Sequence, residues 1–184
     1  MLVLFGSLVS VVDVFGGLPD VVKVFRSLEG LSFHKLMRVY EESNRLNAVA
    51  LYPHMDRNAA LIQVEQDFYV YLRDCFFRTE GAWYAVWSEN DSYISALRLE
   101  PFEDGLLLEA LETDPDYRRC GYGYKLMDAV LHSVVENVYS HVNKSNTDSF
   151  RLHEKCGFVK IADECTYIDG TRSDRCVTLK WAKE

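Results

Sequence analysis

The stretch YRRCGYGYKL (residues 117–126) joins a strand-like segment to a helix-like one and places two arginines and two glycines at the joint. Glycine is needed where backbone must approach a ligand closely or take a positive φ. The first turn of a helix leaves its N–H groups unpaired and carries about half a positive charge. Together these features make a cradle for an anion, and the anion it suits is a phosphate or pyrophosphate. Arg118 and Arg119 add charge at its lip. Two familiar phosphate loops do not match. A P-loop needs Lys-Ser or Lys-Thr after its second glycine at fixed spacing, which is missing here. A dinucleotide fingerprint needs a third small residue where Leu126 stands, and a parallel βαβ unit around it.

Other residues of chemical interest surround this loop. Glu109 is a charge inside the otherwise apolar LLLEAL. Burial there would raise its pKa toward the range useful to a general base, whereas an ion pair with Arg98 across a hairpin is the structural alternative. Strand alternation puts Glu112 on the face opposite Glu109. Cys120 lies in the loop, has no His-Asp partner implied nearby and reads as passive. Ser140-His141 is a strand dipeptide rather than part of a triad. Trp83, Tyr84, Trp87 and Tyr93 read as core aromatics, although one can face a cleft.

The chain that must position these groups has 184 residues, 48% hydrophobic and 26% charged, enough for one ordinary domain with its own core. A formal net charge of -8 argues against broad nucleic-acid binding, because phosphates are repelled. Five cysteines, Cys75, Cys120, Cys156, Cys165 and Cys176, form no C-x-x-C pair. Neither a disulfide framework nor a zinc site is expected, and the location expected is cytoplasmic. Residues 1–30 form an apolar extension, of which 1–18 are interrupted by Asp13 and three glycines. An appended strand or helix, or a loosely packed leader, fits this segment best. An upstream-extended start ranks next, and a membrane anchor last, since a span needs roughly 20 apolar residues.

Periodicity supplies the elements. GLSFHKL (30–36) reads as a short strand leading into a helix over 37–46 with Met37, Tyr40 and Asn44 at helical steps. YPHMD (52–56) is a break, and Asp56 reads as the N-cap of a long helix whose apolar face holds Leu61, Val64, Phe68, Tyr71, Leu72, Cys75 and Phe76. AWYAVWS (82–88), SYISALRLEPF (92–102) and LLLEALET (106–113) form an antiparallel meander with turns at 89–92 and 103–105. A helix over 124–138, a strand over 138–143, a capped helix over 145–156 stopped by Gly157, and a terminal hairpin complete the chain. The fold class is α+β (mixed α/β): one mixed, mostly antiparallel sheet with helices on both faces, and a single domain over 31–184.

Arg118, Gly121 and Gly123 form R-x-x-G-x-G after a strand that runs into Asp114-Pro115-Asp116-Tyr117. Downstream, Asn146, Ser149, Leu152, His153 and Gly157-Phe158 follow in order across a helix. The pair of motifs resembles the GNAT superfamily of acetyl-CoA-dependent N-acetyltransferases, with His153 at the usual tyrosine position. The resemblance spans roughly residues 31–181. It implies a splay between the fourth and fifth strands into which pantetheine inserts like a missing strand. It assigns cofactor binding to the backbone of Leu111 and Thr113, to Arg118, to the loop of Arg119, Cys120, Gly121, Tyr122, Gly123 and Tyr124, and to Asn146. It implies acetyl transfer from acetyl-CoA, as co-substrate and without a metal, to a primary amine on a small molecule or peptide. Glu109 is then the candidate base, and His153 the candidate donor to the leaving thiolate. No nucleic-acid or membrane partner is implied, and a homodimer is compatible with the family. Two other readings stay open at this point: a catalytically silent acyl-CoA-binding regulatory module, and an enzyme of another class that holds a different phosphate ligand.

Overall fold

The computed structural model describes residues 17–183. In chain order its elements are β1 (Val22–Phe25), α1 (Phe33–Val39), α2 (Glu41–Leu51), α3 (Arg57–Asp74), β2 (Trp83–Glu89), β3 (Ser92–Phe102), β4 (Gly105–Thr113), α4 (Tyr122–Ser133), β5 (Asn137–Asn143), α5 (Thr147–Lys155), β6 (Val159–Ala162), β7 (Cys165–Thr166), β8 (Arg172–Ser173) and β9 (Cys176–Trp181). Seven strands make one sheet in the order β1-β2-β3-β4-β5-β9-β6, and β7 and β8 form a separate two-stranded ribbon. Every pairing in the large sheet is antiparallel except β4 with β5.

Alternation along the meander splits the core into two layers. Trp83, Ala85, Leu97, Leu99, Leu106 and Leu108 face α4, where Leu126, Met127, Val130 and Leu131 are buried. Tyr84, Val86 and Ala96 face the other way, against Leu36 and Val39 of α1, Leu72 of α3 and Phe76. Helices therefore cover both faces of a mixed sheet, as the pattern predicts. Asp56 caps α3, its carboxylate accepting from the backbone N–H of Asn58 at 2.9 Å and of Ala59 at 3.2 Å. Gly157 ends α5 with φ 89°.

Four expectations are corrected. GLSFHKL is not a strand: α1 starts at Phe33, because Leu36, Met37, Val39 and Tyr40 must all be buried and only helical spacing puts them on one side. The helix expected over 124–138 stops at Ser133, since Asn137 and Val138 are claimed by β5 in its register with Gly105 and Leu106. Cys165 and Cys176 form a disulfide, with Cα atoms 5.7 Å apart. The absence of C-x-x-C spacing hid it, because β9 folds back beside β7 and brings residues eleven apart together. Finally, Glu112 does not oppose Glu109, for a reason that lies in β4. Within the segment expected to be an extension, residues 22–25 form β1 at the edge of the sheet beside β2, whereas residues 1–16 lie outside the described residues.

The irregularity in β4 is a bulge. Ala96 pairs with Glu112 and Arg98 with Glu109, so Ala110 and Leu111 together face the single residue Leu97. Ala110 takes a left-handed φ of 51°, which costs an alanine on the order of 1–2 kcal/mol. The hydroxyl of buried Tyr40 donates to the main-chain oxygen of Ala110 at 2.7 Å and lies 3.1 Å from the Tyr84 hydroxyl. The extra residue inverts the alternation downstream, which brings Glu112 round to the face of Glu109.

Two outcomes follow for stability. A Cβ on Gly105 would lie 2.1 Å from the main-chain oxygen of Asn137. Gly105→Ala therefore wedges the parallel pair apart and lowers the urea midpoint by the equivalent of about 1–3 kcal/mol. Tyr40→Phe leaves the Ala110 oxygen without its donor and costs about 1–3 kcal/mol in the same measurement.

Candidate active site

β4 and β5 pair in parallel from Gly105–Asn137 to Leu108–Ser140 and no further. Both strands continue, β4 to Thr113 and β5 to Asn143, but among the described residues β5 is then paired with β9 alone. The strands thus diverge from Glu109 and His141 onward. A cleft of about 810 Å³ occupies the opening, within the range of pockets that hold cofactors and small substrates. Its walls include Leu111, Glu112, Ser140, Asn146 and His153.

The loop of arginines and glycines stands at the open end. Arg118 donates from Nε to the Thr113 carbonyl at 3.3 Å, and its guanidinium pairs with Glu42 of α2, tying the loop down from two sides. Arg119 is left-handed, with φ 61°, and exposed. Gly121 is the N-cap of α4 at φ 83°, with open space where a Cβ would be and no side chain capping the helix. The Lys125 N–H donates to the Gly121 oxygen at 3.0 Å as the helical ladder begins. Upstream of it, the first-turn amides of Tyr122, Gly123 and Tyr124 are those a ligand can claim. A Cβ on Gly123 would come within 3.3 Å of Thr113 Oγ1 and 3.7 Å of Leu152 on α5, which places the helix tip between the end of β4 and α5. The Tyr122 hydroxyl donates to Glu89 at 3.1 Å, the Lys155 ammonium covers the Tyr124 ring at 4.1 Å, and Cys120 is exposed. The Oδ1 of Asn146 is spent capping α5, where it accepts from the Ser149 N–H at 3.0 Å. Asn146 itself lines the cleft, and its amide N–H groups are donors that this cap does not use.

Acidic groups line the other wall. Glu109 accepts from the Arg98 guanidinium at 3.0 and 3.2 Å, so the ion pair foreseen across the meander forms. Arg98 also lies 5.0 Å from the Tyr71 ring and 5.7 Å from that of Phe76. Beside them Glu100, buried, has its carboxyl pushed up to about 7, chiefly by burial and then by the charge of Glu109. Burial also raises the Glu112 carboxyl above its ordinary value, with Ser43 and Arg118 pulling it back down.

His153 is buried on α5. Its Nδ1 lies 2.8 Å from the Ser149 carbonyl oxygen, so this nitrogen carries the proton and donates. Nε2, at 2.9 Å from the Ser140 hydroxyl, accepts. The ring meets Phe158 edge-to-face at 4.9 Å, and burial lowers its pKa below the ordinary 6.5. The resting form is a neutral imidazole that orients a serine hydroxyl, not an imidazolium. Of the residues singled out in the sequence, Leu111, Arg118, Asn146, Glu109 and His153 share the wall of one cleft. The remaining loop residues, Arg119 to Tyr124, gather at the tip of α4, and Thr113 closes β4 beside them.

Sequence reasoning missed Glu100 and set Ser140 and His141 aside as a plain strand dipeptide. Glu100 carried a usable signal: with Arg98 it makes two charges at alternate positions of an otherwise apolar strand, and such charges need polar partners on their face, here Glu109 and Arg98 beside the cleft. Ser140 and His141 carried none, because their value comes from where β4 stops pairing. Among the described residues no cluster of three or more His, Cys, Asp or Glu is placed to hold a metal ion, and no helix is long and apolar enough to cross a membrane.

Comparison with known proteins agrees with this geometry. Among curated proteins no sequence matches. Among solved structures, the chain is similar to a PaiA N-acetyltransferase from Thermoplasma acidophilum in complex with coenzyme A. The identity is 13%, with 88% of this chain and 98% of the other covered, at a TM-score of 0.56. It is also similar to the ribosomal-protein-S18-alanine N-acetyltransferase of Escherichia coli (17% identity, 88% and 93% covered, TM-score 0.54). A GNAT-family acetyltransferase from Bacillus cereus ATCC 10987 gives 19% identity, 89% and 98% coverage and a TM-score of 0.52. At these identities the likeness establishes the fold. The family model described as acetyltransferase (GNAT) family matches residues 36–158, more than half of the sequence, and the chain therefore belongs to that family.

Proposed function

We propose that the protein transfers an acetyl group from acetyl-CoA to a primary amine. The observation that carries this reading is the opening of β4 from β5 after Leu108–Ser140, with the uncapped tip of α4 at its mouth. Acetyl-CoA supplies a thioester whose acyl carbon an amine can attack. The first-turn amides of α4, with Arg118 and Arg119 beside them, suit its pyrophosphate. The unpaired edges of β4 around Leu111 and Thr113, with the Asn146 amide, suit its amide-bearing arm. Glu109, Glu112 and Glu42 line the cleft together with Arg98, Arg118 and Arg175, so an ammonium entering it meets carboxylates that can hold its charged form, and a base must take its proton before the nitrogen attacks. On the leaving-group side the Ser140 hydroxyl, held by His153, is the donor that can turn toward sulfur. The lock between Ser140 and His153 also fits the alternative of a catalytically silent acyl-CoA-binding module, so binding and turnover are to be measured separately.

Calorimetry with acetyl-CoA and loss of thioester absorbance with a panel of primary amines test the reading. Binding with turnover of at least one amine is expected; binding with none supports the silent module. Gly123→Asp sets a carboxylate against the pyrophosphate and weakens acetyl-CoA binding by roughly 10–100-fold, the worth of one lost charge-assisted hydrogen bond. Unchanged affinity would remove the α4 tip from the site. Glu112→Gln supplies a second check. A carboxyl whose folded pKa is raised contributes its stability below the unfolded value of 4.5 and loses it as pH rises through the folded value. The variant should thus melt higher than wild type at pH 7, lose that advantage toward pH 4, and turn over more slowly.

A further inference from the structure

His141 stands at the point where β4 and β5 part. Ser140 is the last residue of β5 paired with β4, opposite Leu108, so Glu109 and His141 are the first residues of the two diverging strands. Both line the cleft. Both nitrogens of the His141 ring are buried, and neither has a hydrogen-bond partner among the described residues. The ring is fixed edge-to-face by Phe102 at 5.4 Å and Tyr167 at 5.7 Å. Buried polar atoms without partners cost stability and are rare in folded chains. A histidine kept in that condition by two aromatic walls, at the edge of a cleft, is short of a partner that a ligand can provide.

We infer that His141 is the group that takes the proton from the acceptor amine, with Glu109 as its counter-charge. This rests on the acetyl-transfer reading and specifies its proton acceptor. The groups facing the ring are Glu109 from β4, backed by Arg98 and Glu100 of β3, and Tyr167 from the loop after β7. β9 offers opposite it only the uncharged Thr178. Burial lowers the imidazole pKa below 6.5 while the Glu109 carboxylate raises it, so the ring is neutral at pH 7 and able to accept. Because Glu109 is held by Arg98 at 3.0 Å, it serves better as a fixed charge beside the imidazolium than as the acceptor itself. In the step, a bond forms from the amine nitrogen to the acyl carbon, and the nitrogen's proton passes to His141. The C–S bond breaks with its electron pair on sulfur. The thiolate takes up a proton, His141 returns one to solvent, and the net products are amide and thiol.

His141→Phe tests this in the full chain, because it replaces an orphaned polar ring with an apolar one of similar shape. Acetyl-CoA affinity by calorimetry and melting temperature should be no lower than wild type. Turnover should fall on the order of 10²–10⁴-fold with a panel comprising a polyamine, a lysine peptide, a peptide with a free α-amino group and an aminoglycoside. The wild-type pH profile of kcat/KM should carry one more ionisation on its acid side than the variant's. Added imidazole should restore part of the turnover of His141→Ala, which a merely structural ring would not allow. If His141→Phe fails to fold, His141→Asn and His141→Ala carry the same comparison. Full turnover in a folded variant overturns the role of His141 and leaves acetyl transfer standing. A wild-type protein that binds acetyl-CoA yet acetylates none of the amines overturns both.

Discussion

The Tyr40 hydroxyl donates to the main-chain oxygen of Ala110 at 2.7 Å, and through this bond the junction of α1 and α2 holds β4 out of its regular pleat. Without the bulge, Glu112 would point away from Glu109 and into the layer filled by Leu97, Leu108 and Leu126. An ionised carboxylate there would cost more than the left-handed φ of Ala110 does. The bulge is thus the cheaper solution to a strand that must carry two acids near its open end. It also takes Ala110 and Leu111 out of the ladder to β3, at the height where β4 has already left β5. The same bond links α1 and α2 to the strand that lines the cleft.

Charge balance in the cleft follows from that placement. Glu100, Glu109 and Glu112 are brought to one face, where Arg98 is clasped between Glu109 and the rings of Tyr71 and Phe76 and Arg118 is the cation that answers Glu112. A guanidinium fixed on several sides cannot swing to follow a substrate. Arg98 therefore acts as a permanent counter-charge that keeps Glu109 in place, while burial raises the Glu100 and Glu112 carboxyls, with the charge of Glu109 adding to the effect at Glu100 and that of Glu42 at Glu112. Carboxyls raised by burial weaken the fold at neutral pH, which is the expected pattern when a cavity is kept polar for a ligand rather than filled for stability.

Much of this was legible in the chain. The meander lies where alternating aromatic and aliphatic residues put it, and β3 occupies Ser92–Phe102 as expected. Asp56 caps its helix, and Gly157 stops another at φ 89°. The arginine-glycine loop opens α4, because Gly-x-Gly before an apolar stripe carries a local conformational meaning that needs no tertiary partner. What failed depended on distant partners. Leu31 and Phe33 alternate like a strand, but burial of Leu36, Met37, Val39 and Tyr40 against the sheet selected a helix. Nothing about an alanine announces a left-handed φ, so the bulge, and with it the true face of Glu112, was invisible. The Cys165–Cys176 bond required knowing that β7 would lie against β9.

Strand alternation at the base of the gap completes the argument. Ser140 and His141 are consecutive, so β5 sends one side chain to each face of the sheet. Ser140 meets His153 on the side of α5, beside the tip of α4. His141 meets Phe102, Tyr167 and the field of Glu109 on the side of α3 and the β7–β8 ribbon. On the proposed reading, a thioester lying between the strands has its sulfur near one of these residues and its acyl carbon open to an amine arriving past the other. Two histidines, both made less basic by burial, then sit on opposite faces with separate tasks: one orients a hydroxyl for the departing sulfur, the other receives the proton of the attacking nitrogen. The sheet itself keeps them apart, and on that reading a single dipeptide that looked inert in sequence divides the two halves of the reaction.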